Sequence, residues 1–147
     1  SRIMSLKDGL KKMSKSDESD LSRINLTDEK DLIIKKIKKA KTDTMPIPLD
    51  LKDLKERPEA ENLLGIYSCL SNQKLEKTLK DFSGKNFSDF KNKLSDLLID
   101  QITPISKKIK ILLNDEKYLD DILLEGSLKA DNIAIEKIKK IKDLIGF

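Results

Sequence analysis

The chain has no histidine and no tryptophan. It holds one cysteine, four prolines and five glycines in 147 residues, and aromatics make up 4%. Without an imidazole there is no Ser-His or Cys-His nucleophile system, no histidine general base and no histidine-ligated zinc. The lone Cys69 permits neither an intrachain disulfide nor a thiolate metal cluster. Its neighbours Ile66, Tyr67 and Leu70 place it, on sequence grounds, in a core. No apolar run approaches the ~20 residues that cross a bilayer, and the stretch from Arg2 to Leu10 has no apolar segment of the kind a secretory leader needs. Any chemistry must therefore rest on lysine, serine, carboxylates or backbone groups.

Charge is abundant instead. Charged residues make up 38% and apolar residues 37%, with a net charge of +4 that fits a protein meeting polyanions. The apolar residues are mostly leucine and isoleucine at helical spacing, too periodic for a disordered tail. Thr27 is the expected N-cap of a first helix, with Asp28, Glu29 and Asp31 at its start and Leu32, Ile33, Ile37 and Ala40 on one face. The lysines from Lys35 to Lys41 read as its solvated, dipole-complementing end, with contact to an RNA backbone as the functional alternative.

Pro46, Pro48 and Pro58 break the pattern between residues 42 and 58, and Pro58 fits the first turn of the next helix. Leu63, Ile66, Tyr67 and Leu70 line that helix; Leu75, Leu79 and Phe82 mark a shorter one stopped near Ser83-Gly84. Phe87 to Leu112 continues at three-and-four spacing with Pro104 expected to kink it, and Leu119 to Ile145 forms a final run weakened at Gly126. Tyr67, Tyr118, Phe82, Phe87 and Phe90 share this spacing, which favours core packing over stacking on bases. Lys137, Lys139, Lys140 and Lys142 read as the wet face of the last helix. Ahead of the helices, Ile3 to Leu6 reads as a short extended segment, and residues 7–23, rich in serine, as a surface loop.

Within that loop stands Lys12-Met13-Ser14-Lys15-Ser16. Two ammonium groups on small, mobile residues suit a departing phosphate chain, because lysine is a compact point charge on a flexible stem. Ser14 and Ser16 add hydroxyls and unobstructed backbone N–H groups. Read without context, the same string is a solvated lysine- and serine-rich loop and a kinase target, with Asp17, Glu18 and Asp20 following the serines.

The string matches the KMSKS signature of class I aminoacyl-tRNA synthetases, and its flanks extend the resemblance. Arg2 to Leu6, Asp17, Arg23-Ile24-Asn25-Leu26-Thr27-Asp28, Lys39 to Asp43, Arg57 to Leu64 and Ile66-Tyr67-Ser68 follow in order. Tyr118-Leu119, Glu125-Gly126, Lys129-Ala130 and Ile145-Gly146-Phe147 complete it. In this order the segments resemble the bacterial-type tryptophan–tRNA ligase family from its KMSKS loop to its C-terminus. Gly9-Leu10 stands where the family often has Pro-Thr or Pro-Ser before the loop, Glu18 where it commonly has proline after it, and both departures are expected to loosen the loop.

The resemblance implies an all-α fold. It would be the helical anticodon-binding bundle of the tyrosine and tryptophan synthetases, preceded by a short strand and loop left over from a Rossmann catalytic domain. The implied boundaries are residues 1–23 for the end of the catalytic domain with the KMSKS loop, and 24–147 for the helical domain. Lys12 and Lys15 are the implied catalytic residues. Ile3, Lys12, Met13, Ser14, Lys15 and Ser16 are implied at ATP, with Ile3 and Met13 beside adenine through their backbones. ATP is implied as substrate, with Mg²⁺ bound to it and no metal held by the protein.

The partners implied are tRNA(Trp), tryptophan and ATP, in the cytoplasm and away from membranes. The parent enzyme is implied to be a homodimer, which leaves the oligomeric state of this stretch open. The stretch alone is expected to be inactive, because the family's histidine-containing motif, most of its sheet and its tryptophan pocket lie upstream of this loop. The alternative from a different class is a non-enzymatic basic helical module binding RNA or an acidic protein.

Overall fold

A computed structural model describes residues 2–146; Ser1 and Phe147, the latter quoted in the terminal string above, lie outside the described residues. Two short strands, β1 (Met4–Ser5) and β2 (Asp8–Lys12), precede six helices. These are α1 (Lys30–Lys39), α2 (Leu51–Lys55), α3 (Pro58–Leu70), α4 (Leu75–Phe82), α5 (Phe87–Leu113) and α6 (Glu116–Ile145). The helical bundle with a short extended remnant is the architecture that the sequence implied. Among the described residues no helix is long and apolar enough to cross a membrane.

The chain divides into two compact units, Ser1–Ser106 and Lys107–Phe147. In the first, the apolar stripes of the helices meet in one core. Ile33 and Ile37 of α1, Leu63 and Leu64 of α3, Leu79 and Phe82 of α4, and Phe90 and Leu94 of α5 are all buried there. Phe82 and Phe90 meet edge to face at 4.9 Å, and Tyr67 packs on both rings. The aromatics of this unit are thus packing residues. Pro58 occupies the first turn of α3, and Gly84, at φ 74°, follows the end of α4, both as the sequence indicated. The helix α5 runs unbroken through Pro104. In the second unit, α6 has no buried residue: Tyr118, Ile122, Ile133, Ile138 and Ile141 are all exposed.

Four local expectations change. Part of the 7–23 segment is strand. Its residues show no apolar alternation, so pairing with β1 rather than local preference sets its conformation. Gly9 does not loosen this strand but lets it approach α3: a Cβ there would lie 2.5 Å from the Glu59 nitrogen and from the Pro58 carbonyl carbon. The first helix begins at Lys30 with Glu29 as N-cap, not at Thr27, because Asp28 is turned inward. Its carboxylate accepts from the Asn25 backbone N–H (2.9 Å), the Asn25 side-chain amide (3.1 Å) and Lys36 Nζ (2.6 Å). Cys69 is exposed, because the buried face of α3 is carried by Leu63, Leu64 and Ile66.

Candidate nucleotide-binding loop

The loop is built outward from β1. Its outer backbone edge is taken by a side chain: Asn62 of α3 accepts from the Met4 N–H (2.9 Å) and donates to the Met4 carbonyl (2.9 Å). The opposite edge pairs antiparallel with β2, Met4 facing Lys12 and Ser5 facing Asp8, with an irregularity between them. The Met13 N–H then donates to the Ile3 carbonyl at 3.1 Å. The entry to the loop is therefore held by backbone bonds as far as Met13.

Beyond Met13 the restraints become local. Ser14 and Ser16 share a hydroxyl contact at 3.0 Å, and the Ser16 N–H donates to Ser14 Oγ at 3.3 Å. Lys12 and Lys15 are exposed, and neither pairs with a carboxylate among the described residues. The chain is caught again at Asp17. Its carboxylate accepts from the Ser19 N–H (2.9 Å) and Lys11 Nζ (3.1 Å), and these bonds, Ser19 first, hold its pKa below the ordinary 3.8. Its carbonyl accepts from Arg23 Nη1 at 2.9 Å.

An open cleft of about 720 Å³ lies against the loop, lined by Arg2, Ile3, Lys12, Met13, Ser14, Lys15, Arg23, Ile24, Asn25 and Leu26. Five of the six residues singled out for ATP share this lining: Ile3, Lys12, Met13, Ser14 and Lys15; Ser16 does not. The lining holds Arg2, Lys12 and Lys15 and no carboxylate, with apolar walls in Ile3, Met13, Ile24 and Leu26; the guanidinium of Arg23, also in the lining, is taken up by Asp20, Asn25 and the Asp17 carbonyl. Such a lining suits a ligand with a flat apolar part and a polyanionic tail. The sequence reading missed Arg2 and the run from Arg23 to Leu26 as cleft residues. Their signal was already in the quoted flanks, at positions without helical periodicity.

The sequence profile described as tRNA synthetases class I (W and Y) matches residues 1–102. The chain belongs to this family. A tryptophan–tRNA ligase of Agrobacterium fabrum is 50% identical over 146 residues, covering 99% of this chain and 41% of that protein. One from Rickettsia felis is 49% identical over 146 residues, covering 99% of this chain and 44% of that protein. The crystal structure of tryptophanyl-tRNA synthetase from Mycoplasma pneumoniae superposes with a TM-score of 0.60 at 32% identity, covering 73% of this chain and 34% of that one. The chain thus spans about two-fifths of the length of such relatives.

Proposed function

We propose that the chain is the C-terminal part of a tryptophan–tRNA ligase, and that its loop closes over ATP. The observation that carries this is the cleft lined by Lys12 and Lys15, neither paired with a carboxylate among the described residues, together with Arg2, apolar walls and no carboxylate. In amino-acid activation a tryptophan carboxylate oxygen attacks the α-phosphorus and pyrophosphate departs. Negative charge grows on the departing oxygens, and cations already in place stabilise it without reorganisation. Lys12 and Lys15 fill that role, while the Ile3 and Met13 backbones flank the adenine. Ser14 and Ser16 contribute N–H and hydroxyl groups to phosphate or to loop closure. Mg²⁺ arrives with ATP and shares the phosphate charge; no protein ligand to it is assigned.

The activated tryptophan is then transferred to the 3′ end of tRNA(Trp). By role, residues 1–23 end the catalytic domain and residues 24–147 form the helical anticodon-binding domain, a division distinct from the two compact units. The parent enzyme is read as a cytoplasmic homodimer. A purely RNA- or protein-binding helical module would leave the residue set of the cleft without a purpose.

The test is tryptophan-dependent ATP–pyrophosphate exchange by the full-length protein. Exchange stimulated by tryptophan and not by tyrosine is expected; exchange with tyrosine alone, or with neither amino acid, overturns the reading.

A further inference from the structure

Behind the loop's exit lies a buried cation that the activation chemistry does not use. Lys36 of α1 is fully buried, and its ammonium is 2.6 Å from Asp28 Oδ2 and 2.8 Å from Asp20 Oδ2. Asp20 is the hub of the group. Its Oδ2 takes Lys36, while its Oδ1 takes Arg23 Nη2 (3.1 Å) and the Asn25 side-chain amide (2.9 Å). Arg23 in turn holds the carbonyl of Asp17, the first residue after the loop's free part. A continuous chain of charge-assisted bonds thus runs from the middle of α1 to the exit of the phosphate loop. Two carboxylates and two cations balance within it.

A buried ion pair seldom adds net stability over apolar packing, since desolvation offsets its Coulomb energy; its best-attested use is to fix registry. An isoleucine at position 36 would extend the apolar face of Ile33 and Ile37, yet a lysine stands there and is aimed at the loop's base. We propose that Lys36 and Asp20 are positioning residues for nucleotide activation: they fix the point, through Arg23, from which the Lys15 segment swings. This rests on the reading of the loop as ATP-closing. The geometric demand is real, because a misplacement of about 1 Å in a positioning element can cost about a hundredfold in rate.

Asp20→Asn is the test variant. Asp20 is half-exposed, with a side chain 49% accessible, and the substitution leaves the buried Lys36–Asp28 pair intact. In the full-length protein we expect kcat for ATP–pyrophosphate exchange to fall about tenfold and KM for ATP to rise, with KM for tryptophan unmoved. Asp20→Glu, which keeps the charge, should restore most of the loss. In the 147-residue chain, amide hydrogen exchange at residues 12–19 should quicken while residues 58–98 hold their protection.

Unchanged kinetics in Asp20→Asn, beside an inactive Lys15→Ala control, overturns the positioning role and leaves the loop's function standing. If Lys15→Ala is also fully active, the functional reading falls and takes this inference with it. Quickened exchange throughout the core would overturn it too, since the group would then be a structural staple.

Discussion

Lys15 is exposed and pairs with no carboxylate among the described residues, while Lys11, four residues earlier, is tied to Asp17. That contrast is what the proposed role of Lys15 at a phosphate chain requires, while Lys11 shapes the loop. In the full-length protein, Lys15→Ala is expected to cost ~3 kcal/mol in the activation transition state, about two orders of magnitude in exchange rate. Pyrophosphate-exchange kinetics measure this directly.

Asp17 and Asp20 both hold pKa values below the ordinary 3.8, Asp17 first through the Ser19 N–H and Asp20 first through Lys36. A carboxylate depressed on folding adds stability above its unfolded pKa, and that stability fades as pH falls through the folded value. The thermal stability of the wild type should therefore fall more than that of Asp17→Asn as the pH is lowered from neutrality through and below the ordinary carboxylate range. Equal losses would remove Asp17 from the loop's support.

At this scale the pentapeptide could be picked out by residue type alone, and four of its residues, Lys12 to Lys15, line one cleft. Lys36 was not. In sequence it is one lysine in a run expected to face water, and only the turn of Asp28 toward the core shows that it is buried.

Among the elements, β1 and α3 depend on one another. Asn62 stands in for a neighbouring strand by satisfying both the Met4 N–H and its carbonyl. Asn62→Ala leaves these groups unpaired and is expected to cost about 1–3 kcal/mol, read as a shift in urea midpoint. Gly9→Ala drives a methyl group into the backbone at Pro58–Glu59 and should cost about 1–3 kcal/mol by the same measurement. An unshifted midpoint would mean that the strand–helix contact yields without loss.

The helices from α3 onward were legible because leucine, isoleucine and phenylalanine recur every three or four residues with punctuation at Pro58 and Gly84. Strand β2 was not legible: in Asp8-Gly9-Leu10-Lys11-Lys12 only Gly9 is buried. Its partners are β1 across the hairpin and α3, about fifty residues away in the chain, and such pairings leave no local period. The start of α1 moved for a related reason: Thr27 has the right chemistry for a cap, but the ion pair of Asp28 with Lys36 sets where the helix can begin.

For the whole molecule, the contrast between the units matters most. The first has a core of its own, whereas α6 in the second shows its apolar residues to solvent along its length. Periodicity predicted that helix but could not say what it packs against, since a stripe specifies a face and not a partner. The 147-residue chain alone is expected to give no tryptophan-dependent exchange above background under conditions where the full-length protein is active. Activity in the short chain would mean that the site is more complete than two-fifths of the relatives' length suggests.

The loop's two moorings lie within one compact unit, its entry on α3 through Asn62 and its exit on α1 through Arg23, Asp20 and Lys36. Between them Ser16 is exposed and, among the described residues, bonded only to Ser14. A fluorophore at that residue would ride on a tether fixed at both ends, so a change in its emission on adding nucleotide would report on the loop and the nucleotide beside it, undiluted by tumbling of the rest of the chain.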